Sequence, residues 1–146
     1  VFNFSKLVEE NIKNIYKEKK IEIDVDRDIY LRGNSEYFLM ALQNLIDNAF
    51  KYSNEDWVTL CAKQIDGKVI LRVEDFGIGI AEEEKEKVYD KFYRSEKVEI
   101  LGIKGYGLGL SLVKSIVEAM SGRIEIEDNK PRGTVFIITF SSVELI

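Results

Sequence analysis

The feature that most constrains the fold is a pair of alternating apolar and polar runs that flank the dipeptide Asp66-Gly67. One run covers Trp57 to Ile65 and the other covers Lys68 to Asp75, and a period of two is typical of strands with one buried face. Asp-Gly between two such runs favours a tight turn, because its residues tolerate positive φ angles. The pattern predicts an antiparallel hairpin that needs an apolar layer against one of its faces.

Amphipathic helices are predicted to supply that layer. A helix over about Glu36 to Tyr52, capped by Asn34 or Ser35, has an apolar arc of Phe38, Leu42, Leu45, Ile46 and Ala49. Another is predicted over Leu110 to Met120, with Gly122 as its stop. A first helix is predicted from a Ser5 cap to about Lys20, and a short one over about Glu82 to Tyr89.

The remaining apolar runs predict further strands: Phe2 to Phe4, Ile21 to Val25, Ile29 to Arg32, Arg123 to Glu127 and Thr134 to Phe140. The last two flank the turn Lys130-Pro131-Arg132-Gly133. We therefore predict one domain over residues 1–146. Its fold class is α/β (α+β), a two-layer sandwich in which about three helices cover one face of a mixed, mostly antiparallel sheet.

Composition limits the partners of this domain. The net charge of −5 argues against a broad surface for nucleic acid or anionic membranes. No apolar run reaches the roughly 18 residues of a membrane span, and the single Cys61 fits a reducing compartment. We expect a cytoplasmic, monomeric domain without membrane insertion. Because the chain begins at Val1 without methionine, we expect a fragment of a longer protein, which can itself be membrane-bound.

The first polar motif is a pair of asparagines, Asn44 and Asn48, that lie one helical turn apart, with Lys51 continuing their face. Amide oxygens can ligate Mg²⁺ beside a triphosphate, whose charge already compensates the ion. The stripe is predicted to lie roughly opposite the apolar arc, so an ordinary solvated face is the alternative. The lack of charge along Tyr37, Ala41 and the two asparagines weakens that alternative.

The second motif follows the strand that ends at Asp75. The Asp75 carboxylate shares the side of the strand's apolar residues and therefore needs a donor, which the exocyclic amine of adenine can provide. Gly77 and Gly79 would let the backbone approach the ring. A simple Asp turn is the alternative. Asp75-Phe76-Gly77 also spells the metal-binding triplet of eukaryotic-type protein kinases, but a chain without histidine has no His-Arg-Asp loop.

The third motif is a glycine repeat, Gly105, Gly107 and Gly109, before the helix that begins near Leu110. Amides and the dipole at a helix N-terminus favour an anion such as phosphate, and a plain hinge is the alternative. The guanidinium of Arg94 is a candidate for the terminal phosphate, because it can bind phosphate in a bidentate manner. Solvation of Arg94 in a charged loop is the alternative there.

In combination these motifs resemble the ATP-binding catalytic domain of sensor histidine kinases, which has the Bergerat fold. Asn44 to Ser53 is similar to the family's N box, and Asp75 to Ile80 is similar to its first glycine box. Phe92 to Arg94 is similar to the F box, Gly105 to Leu110 to the second glycine box, and Gly133-Thr134 to the third glycine box. The resemblance implies ATP and Mg²⁺ as cofactors.

The resemblance also implies roles for individual residues. Asn48 would be the metal ligand, assisted by Asn44, and Asp75 would be the adenine partner. Catalytic roles would fall to Asn44 and Arg94. The expected ATP contacts are Asn48, Lys51, Tyr52, Asp75, Gly77, Gly79, Tyr93, Gly105, Gly107, Gly109, Leu110 and Thr134, and Tyr93 to Gly107 would form the ATP lid.

Two departures from related ATPases bear on the reaction. ATPases of this fold carry a water-activating Glu where this chain has Asn44, and an amide is not a general base, so hydrolysis should be poor. The phosphoacceptor histidine is absent from the chain. We therefore expect transfer of the γ-phosphate to a histidine on the parent's dimerisation hairpin, and then to a response regulator. The alternatives are a serine kinase of the same fold and a nucleotide-binding module without catalysis.

Overall fold

A mixed sheet forms one layer of the domain. The computed structural model describes residues 1–53, 57–90, 93 and 109–144. Its strands are β1 (Phe2–Asn3), β2 (Ile21–Val25), β3 (Tyr30–Leu31), β4 (Val58–Ile65), β5 (Lys68–Glu74), β6 (Arg123–Asp128) and β7 (Thr134–Ser141). The main sheet has the order β2-β4-β5-β7-β6, in which only β2 and β4 run parallel, while β1 and β3 pair with each other. The predicted mixed, mostly antiparallel sheet is confirmed.

The helices form the second layer. The helical segment α1 is α-helical over Phe4–Leu7, π-helical over Val8–Ile12 and α-helical over Lys13–Ile15. It is followed by α2 (Ser35–Tyr52) and α3 (Gly109–Ala119). Asn34 caps α2, because its side-chain oxygen accepts from the Tyr37 amide at 2.9 Å.

The core lies between α2, α3 and one face of the sheet. The buried side chains of β4 and β5 alternate with half-buried ones, as the period of two requires: Val58, Leu60, Ala62, Val69, Leu71 and Val73. Phe38 of α2 packs edge-on against Phe4 at 5.7 Å and against Phe140 of β7 at 5.6 Å. This aromatic cluster joins both layers, so the predicted two-layer sandwich is confirmed.

The predicted bounds of the first helix were wrong at both ends. It begins at Phe4, and Asn3 is the cap, because the Asn3 side chain accepts from the Lys6 amide at 3.0 Å. Ser5 instead bridges two main-chain groups, donating to the Asp26 carbonyl and accepting from the Ile29 amide. The helix ends at Ile15 and not at Lys20, since the charged run that follows has no apolar side to pack.

Two other local predictions need correction. The residue with positive φ after α3 is Ser121, at 59°, and not Gly122. Gly122 is needed for space, because a Cβ there would collide with the ring of Phe140. The short helix predicted over Glu82 to Tyr89 is two separate 3-10 turns, Glu82–Glu84 and Lys87–Tyr89.

Candidate functional site

The two asparagines of α2 face the beginning of α3. A Cβ placed on Gly109 would lie 3.4 Å from Asn44 Oδ1 and 3.9 Å from Asn48 Nδ2, so the absence of a side chain keeps this gap open. Both asparagines are half-buried. The first motif and the end of the third motif are therefore neighbours in space, although more than 60 residues separate them in sequence.

The asparagine stripe flanks the apolar arc of α2 and does not lie opposite it, which corrects the sequence prediction. Ala41, about one turn before Asn44 and two turns before Asn48 on this stripe, is 0% exposed, whereas Tyr37 at its beginning is 59% exposed. The stripe therefore runs from solvent into the boundary between α2 and α3. An ordinary solvated face does not account for half-buried amides at that boundary.

The loop after β5 rests on the end of α2. The Ile78 amide donates to the Tyr52 carbonyl at 3.3 Å, and a Cβ on Gly77 would collide with the same carbonyl. Lys51, the residue before, is exposed. Gly77 is thus required for the close approach that brings the second motif against the C-terminal end of the first.

Asp75 is a buried carboxylate held by main-chain donors. It is 5% exposed, and its Oδ1 accepts from the Gly77 amide at 2.9 Å and from the Thr134 amide at 3.3 Å. Burial raises the pKa of Asp75 to about 6, although both hydrogen bonds act in the opposite direction. At neutral pH the group is therefore an ionised acceptor. Its Oδ1 is committed to two amides, whereas none of the hydrogen bonds among the described residues involves its second oxygen.

The turn between β6 and β7 closes over Asp75. The Asn129 side chain donates from Nδ2 to the Asp75 carbonyl at 2.8 Å, and the Asn129 amide donates to the Gly133 carbonyl at 3.0 Å. Gly133 has a φ of 106°, and a Cβ there would collide with the Asp75 carbonyl. Thr134, at 4% exposed, follows directly. Sequence reasoning predicted a turn over Lys130 to Gly133 and a third glycine box at Gly133-Thr134, but it missed Asn129, for which the available signal was an asparagine beside the turn.

The available oxygen donors fit Mg²⁺ better than a soft metal. No cluster of three or more His, Cys, Asp or Glu side chains suited to a metal occurs in the described ranges. The neighbouring amides of Asn44 and Asn48 offer one or two neutral oxygens beside a helix N-terminus. Mg²⁺ commonly uses such a sparse protein set and completes its shell with phosphate and water oxygens.

The structure describes only some of the remaining predicted ATP contacts. The Tyr93 hydroxyl donates to Glu84 at 2.6 Å, and this bond raises the pKa of Tyr93 to about 12. Gly79 has a φ of 75°, and Leu110 packs against the core from α3. Arg94, Gly105, Gly107 and most of the predicted lid lie outside the described residues.

A buried carboxylate, paired helix amides and a helix N-terminus at one edge of a two-layer sandwich define a nucleotide-binding domain of the Bergerat type. Residues 33–144 match the family described as histidine kinase-, DNA gyrase B-, and HSP90-like ATPase. The chain belongs to this family.

Within the family the similarity is to sensor histidine kinases. The chain is 38% identical to the sensor protein CiaH of Streptococcus pneumoniae serotype 4 over 92% of this chain and 29% of that protein. It is 30% identical to the sensor histidine kinase YclK of Bacillus subtilis over 90% of this chain and 28% of that protein. The chain thus spans less than a third of the length of these relatives.

Solved structures agree with this placement. A mycobacterial sensor histidine kinase, MprB, superimposes with a TM-score of 0.83 at 27% identity, covering 99% of this chain and 97% of that one. The catalytic domain of histidine kinase ThkA, in a nucleotide-free form, gives a TM-score of 0.80 at 27% identity over 98% and 97% of the two chains. The predicted family and fold are therefore confirmed.

Proposed function

We propose that residues 1–146 are the catalytic domain of a longer kinase, which binds Mg·ATP and transfers the γ-phosphate to a histidine on the parent's dimerisation hairpin. The phosphate then passes to an aspartate of a response regulator. One observation carries this proposal: Asn44, Asn48 and Gly109 meet at one gap, and the loop that Asp75 begins rests on Tyr52, one turn after Asn48 on α2. Metal ligands, an anion-binding helix end and a base acceptor are the parts that an ATP site needs.

Each described residue has a defined task in this proposal. Asp75 accepts a hydrogen bond from the adenine amine, and Gly77 and Gly79 allow the ring to approach the backbone. The amides at Gly109 and Leu110 face the phosphates, with Lys51 and Tyr52 contributing from the end of α2. Asn48, assisted by Asn44, holds Mg²⁺, which when bound neutralises phosphate charge. Thr134 fixes the orientation of Asp75.

Several contacts stay predictions because they lie outside the described residues or lack a described contact to the site. Arg94 is proposed to stabilise the γ-phosphate, and Gly105 and Gly107 to close over the phosphates. Tyr93 is proposed to join this lid, although its described side-chain bond is to Glu84. The domain positions and neutralises its substrate, as phosphoryl transfer generally requires, and leaves nucleophilic attack to the acceptor.

The proposal that the phosphate goes to a protein side chain and not to water rests on the lack of a water-activating base at the position of Asn44. ATPases of the same family are expected to carry a general base at the position of Asn44, and an amide cannot take a proton from water at neutral pH. Transfer to an external nucleophile does not need that base in the same place.

No helix within the described ranges is long and apolar enough to cross a membrane.

The test mixes this domain with the dimerisation hairpin of its own parent protein and radiolabelled ATP. The hairpin should acquire phosphate that is labile in acid and stable in alkali, as phosphohistidine is, whereas the domain alone should not be labelled. Asn48→Ala should abolish labelling, since it removes a metal ligand. Arg94→Ala should reduce labelling more than it weakens ADP binding, because ADP lacks the γ-phosphate.

Gln43→Ala offers a matched control for Asn48→Ala, because Gln43 is a half-buried amide on α2 outside the asparagine stripe. It should label the hairpin at the wild-type rate. Acid-stable phosphate on a serine of a partner would favour the serine kinase alternative. Rapid, steady hydrolysis of ATP by the isolated domain would overturn the kinase proposal.

A further inference from the structure

The Asp75 acceptor is clamped by the turn between β6 and β7 at three of its polar atoms. The Asp75 amide donates to the Thr134 carbonyl at 2.9 Å, and Asp75 Oδ1 accepts from the Thr134 amide at 3.3 Å. The Asp75 carbonyl accepts from Asn129 Nδ2 at 2.8 Å. The first of these bonds joins two main-chain groups, and the second joins a main-chain amide to the carboxylate. The third comes from the side chain of Asn129.

Asn129 also organises the turn that carries Thr134. Its amide donates to the Gly133 carbonyl at 3.0 Å, and its Oδ1 accepts from the Lys130 amide at 2.9 Å. Both ends of the Asn129 side chain are therefore occupied, which fixes its rotamer. The positive φ of Gly133 then brings its backbone against the Asp75 carbonyl, and Thr134 follows with its amide aimed at the carboxylate.

We propose that Asn129 is a positioning residue for base recognition: it anchors the β6–β7 turn on Asp75 and so directs the second carboxylate oxygen toward the exocyclic amine of the bound purine. This inference rests on the proposed adenine site. Asn129 does not touch the nucleotide and acts through Asp75. Its effect is on selectivity for a 6-amino purine, since only that group of the ligand meets the oriented oxygen.

A turn that was merely structural would behave differently. Losing it would weaken binding of any nucleotide of the same phosphate count to a similar degree, because the whole pocket edge would loosen. Misorientation of one acceptor instead removes a single hydrogen bond and leaves phosphate and stacking contacts in place. The two cases separate when two ligands that differ by one amino group are compared.

The experiment measures by calorimetry the affinities of wild type and variants for ADP and for purine riboside 5′-diphosphate, which lacks the 6-amino group. Wild type should prefer ADP by about tenfold, the worth of about one good hydrogen bond. Asn129→Ala should lower ADP affinity by about fivefold to tenfold and change affinity for the analogue by less than about twofold. The selectivity ratio should therefore fall toward one.

Asn11→Ala is a matched control, because Asn11 Nδ2 donates to the Leu7 carbonyl at 3.1 Å within α1 and is also partly buried. It loses the same type of bond and should keep the wild-type ratio. Asn129→Asp is a second test variant that retains an acceptor for the Lys130 amide but places an oxygen against the Asp75 carbonyl. It should also lose the preference for ADP over the analogue, and it tests the inference if the alanine variant unfolds.

The outcomes separate the inference from the proposed function. If wild type does not distinguish the two ligands, the adenine contact of Asp75 is wrong and the inference fails with it. If wild type prefers ADP and both Asn129 variants keep that preference, or lose both ligands equally, the positioning role fails while the ATP site stands. A lowered ratio in the Asn129 variants with an unchanged ratio in Asn11→Ala supports the inference.

Discussion

Replacing Asp75 by asparagine is expected to stabilise the fold and to weaken nucleotide binding at the same time. Asp75 is 5% exposed, and burial raises its pKa from 3.8 to about 6. At pH 7.5 the carboxyl is ionised in both the folded and the unfolded chain, so the folded protein bears the cost of a buried charge. Asparagine has almost the same shape and no charge.

The size of the change in the free energy of unfolding follows from the pKa of Asp75. One pKa unit corresponds to about 1.4 kcal/mol, so a rise from 3.8 to about 6 lowers the free energy of unfolding by about 3 kcal/mol at neutral pH. The amide oxygen of the substituted side chain can still accept from the Gly77 and Thr134 amides. Imperfect hydrogen bonding of its NH₂ group offsets about 1 kcal/mol or more of this gain. The net expectation is a gain of about 1 to 2 kcal/mol.

The sign of the pH dependence is defined by the same shift. Between about pH 4 and pH 6 the folded state binds more protons at Asp75 than the unfolded state, so the free energy of unfolding falls as the pH rises through that window. Above about pH 6 this contribution is constant. The stability of Asp75→Asn relative to wild type should therefore increase from pH 4 to about pH 6 and then level off.

Nucleotide binding should move in the opposite direction. Wild type is expected to bind ADP with a Kd of roughly 10 to 500 μM. Asp75→Asn turns a charged acceptor into a neutral amide and should cost roughly 1.5 to 3 kcal/mol of binding. Protonation of the terminal phosphate of ADP near pH 6 affects both proteins alike, so wild-type affinity should fall more steeply than that of the variant as the pH drops through about 6.

Urea titrations from pH 4.5 to 7.5 measure the stability of both proteins, and calorimetry with ADP at the same pH values measures binding. Glu74→Gln is a neighbouring control, because Glu74 pairs with Arg72 on the other side of β5 and is more exposed. Because its carboxylate lies on the side of β5 away from Asp75, this variant should bind ADP with wild-type affinity. An Asp75→Asn protein with wild-type affinity for ADP would remove Asp75 from the adenine site, and a parallel pH profile would refute the buried-charge cost.

Two further substitutions test the packing that holds the site. Gly122→Ala should lower the free energy of unfolding by about 1 to 3 kcal/mol in urea, since its Cβ would collide with the ring of Phe140, which is 4% exposed. Tyr16→Phe should cost about 0.5 to 1.5 kcal/mol by removing the 2.7 Å bond from its hydroxyl to Asp47 on α2. Tyr37→Phe, at a side chain 59% exposed, is the control and should stay within about 0.5 kcal/mol of wild type.

Most secondary structure could be predicted from the sequence because the signals are local. The alternation on either side of Asp66-Gly67 predicted β4 and β5 almost to the residue, and the apolar arc and Asn34 cap predicted α2. The bounds of α1 were wrong, since Asn3 and Ser5 are both good caps and only the contact of Ser5 with Asp26 and Ile29 decides between them.

The polar motifs also came from the sequence, but their meeting point did not. Residue chemistry made Asn44 and Asn48 candidate metal ligands and indicated that the Asp75 carboxylate needs a donor, and the family resemblance added a role for each residue. The relation of the asparagine stripe to the core was misread, because a helical period gives angles around one helix and not the position of α3 beside it. Gly109 had to be placed against α2 before the gap between them could be seen.

The sequence by itself determined which segments form strands and helices and which side chains are candidates for the chemistry, because periodicity, capping and turn preferences act over a few residues. The tertiary structure alone decided the sheet order, which places β7 between β5 and β6, and with it the clamp on Asp75. Asn129 and Asp75 are 54 positions apart. No local pattern states which distant carbonyl a turn asparagine will reach, because that depends on how the strands pair.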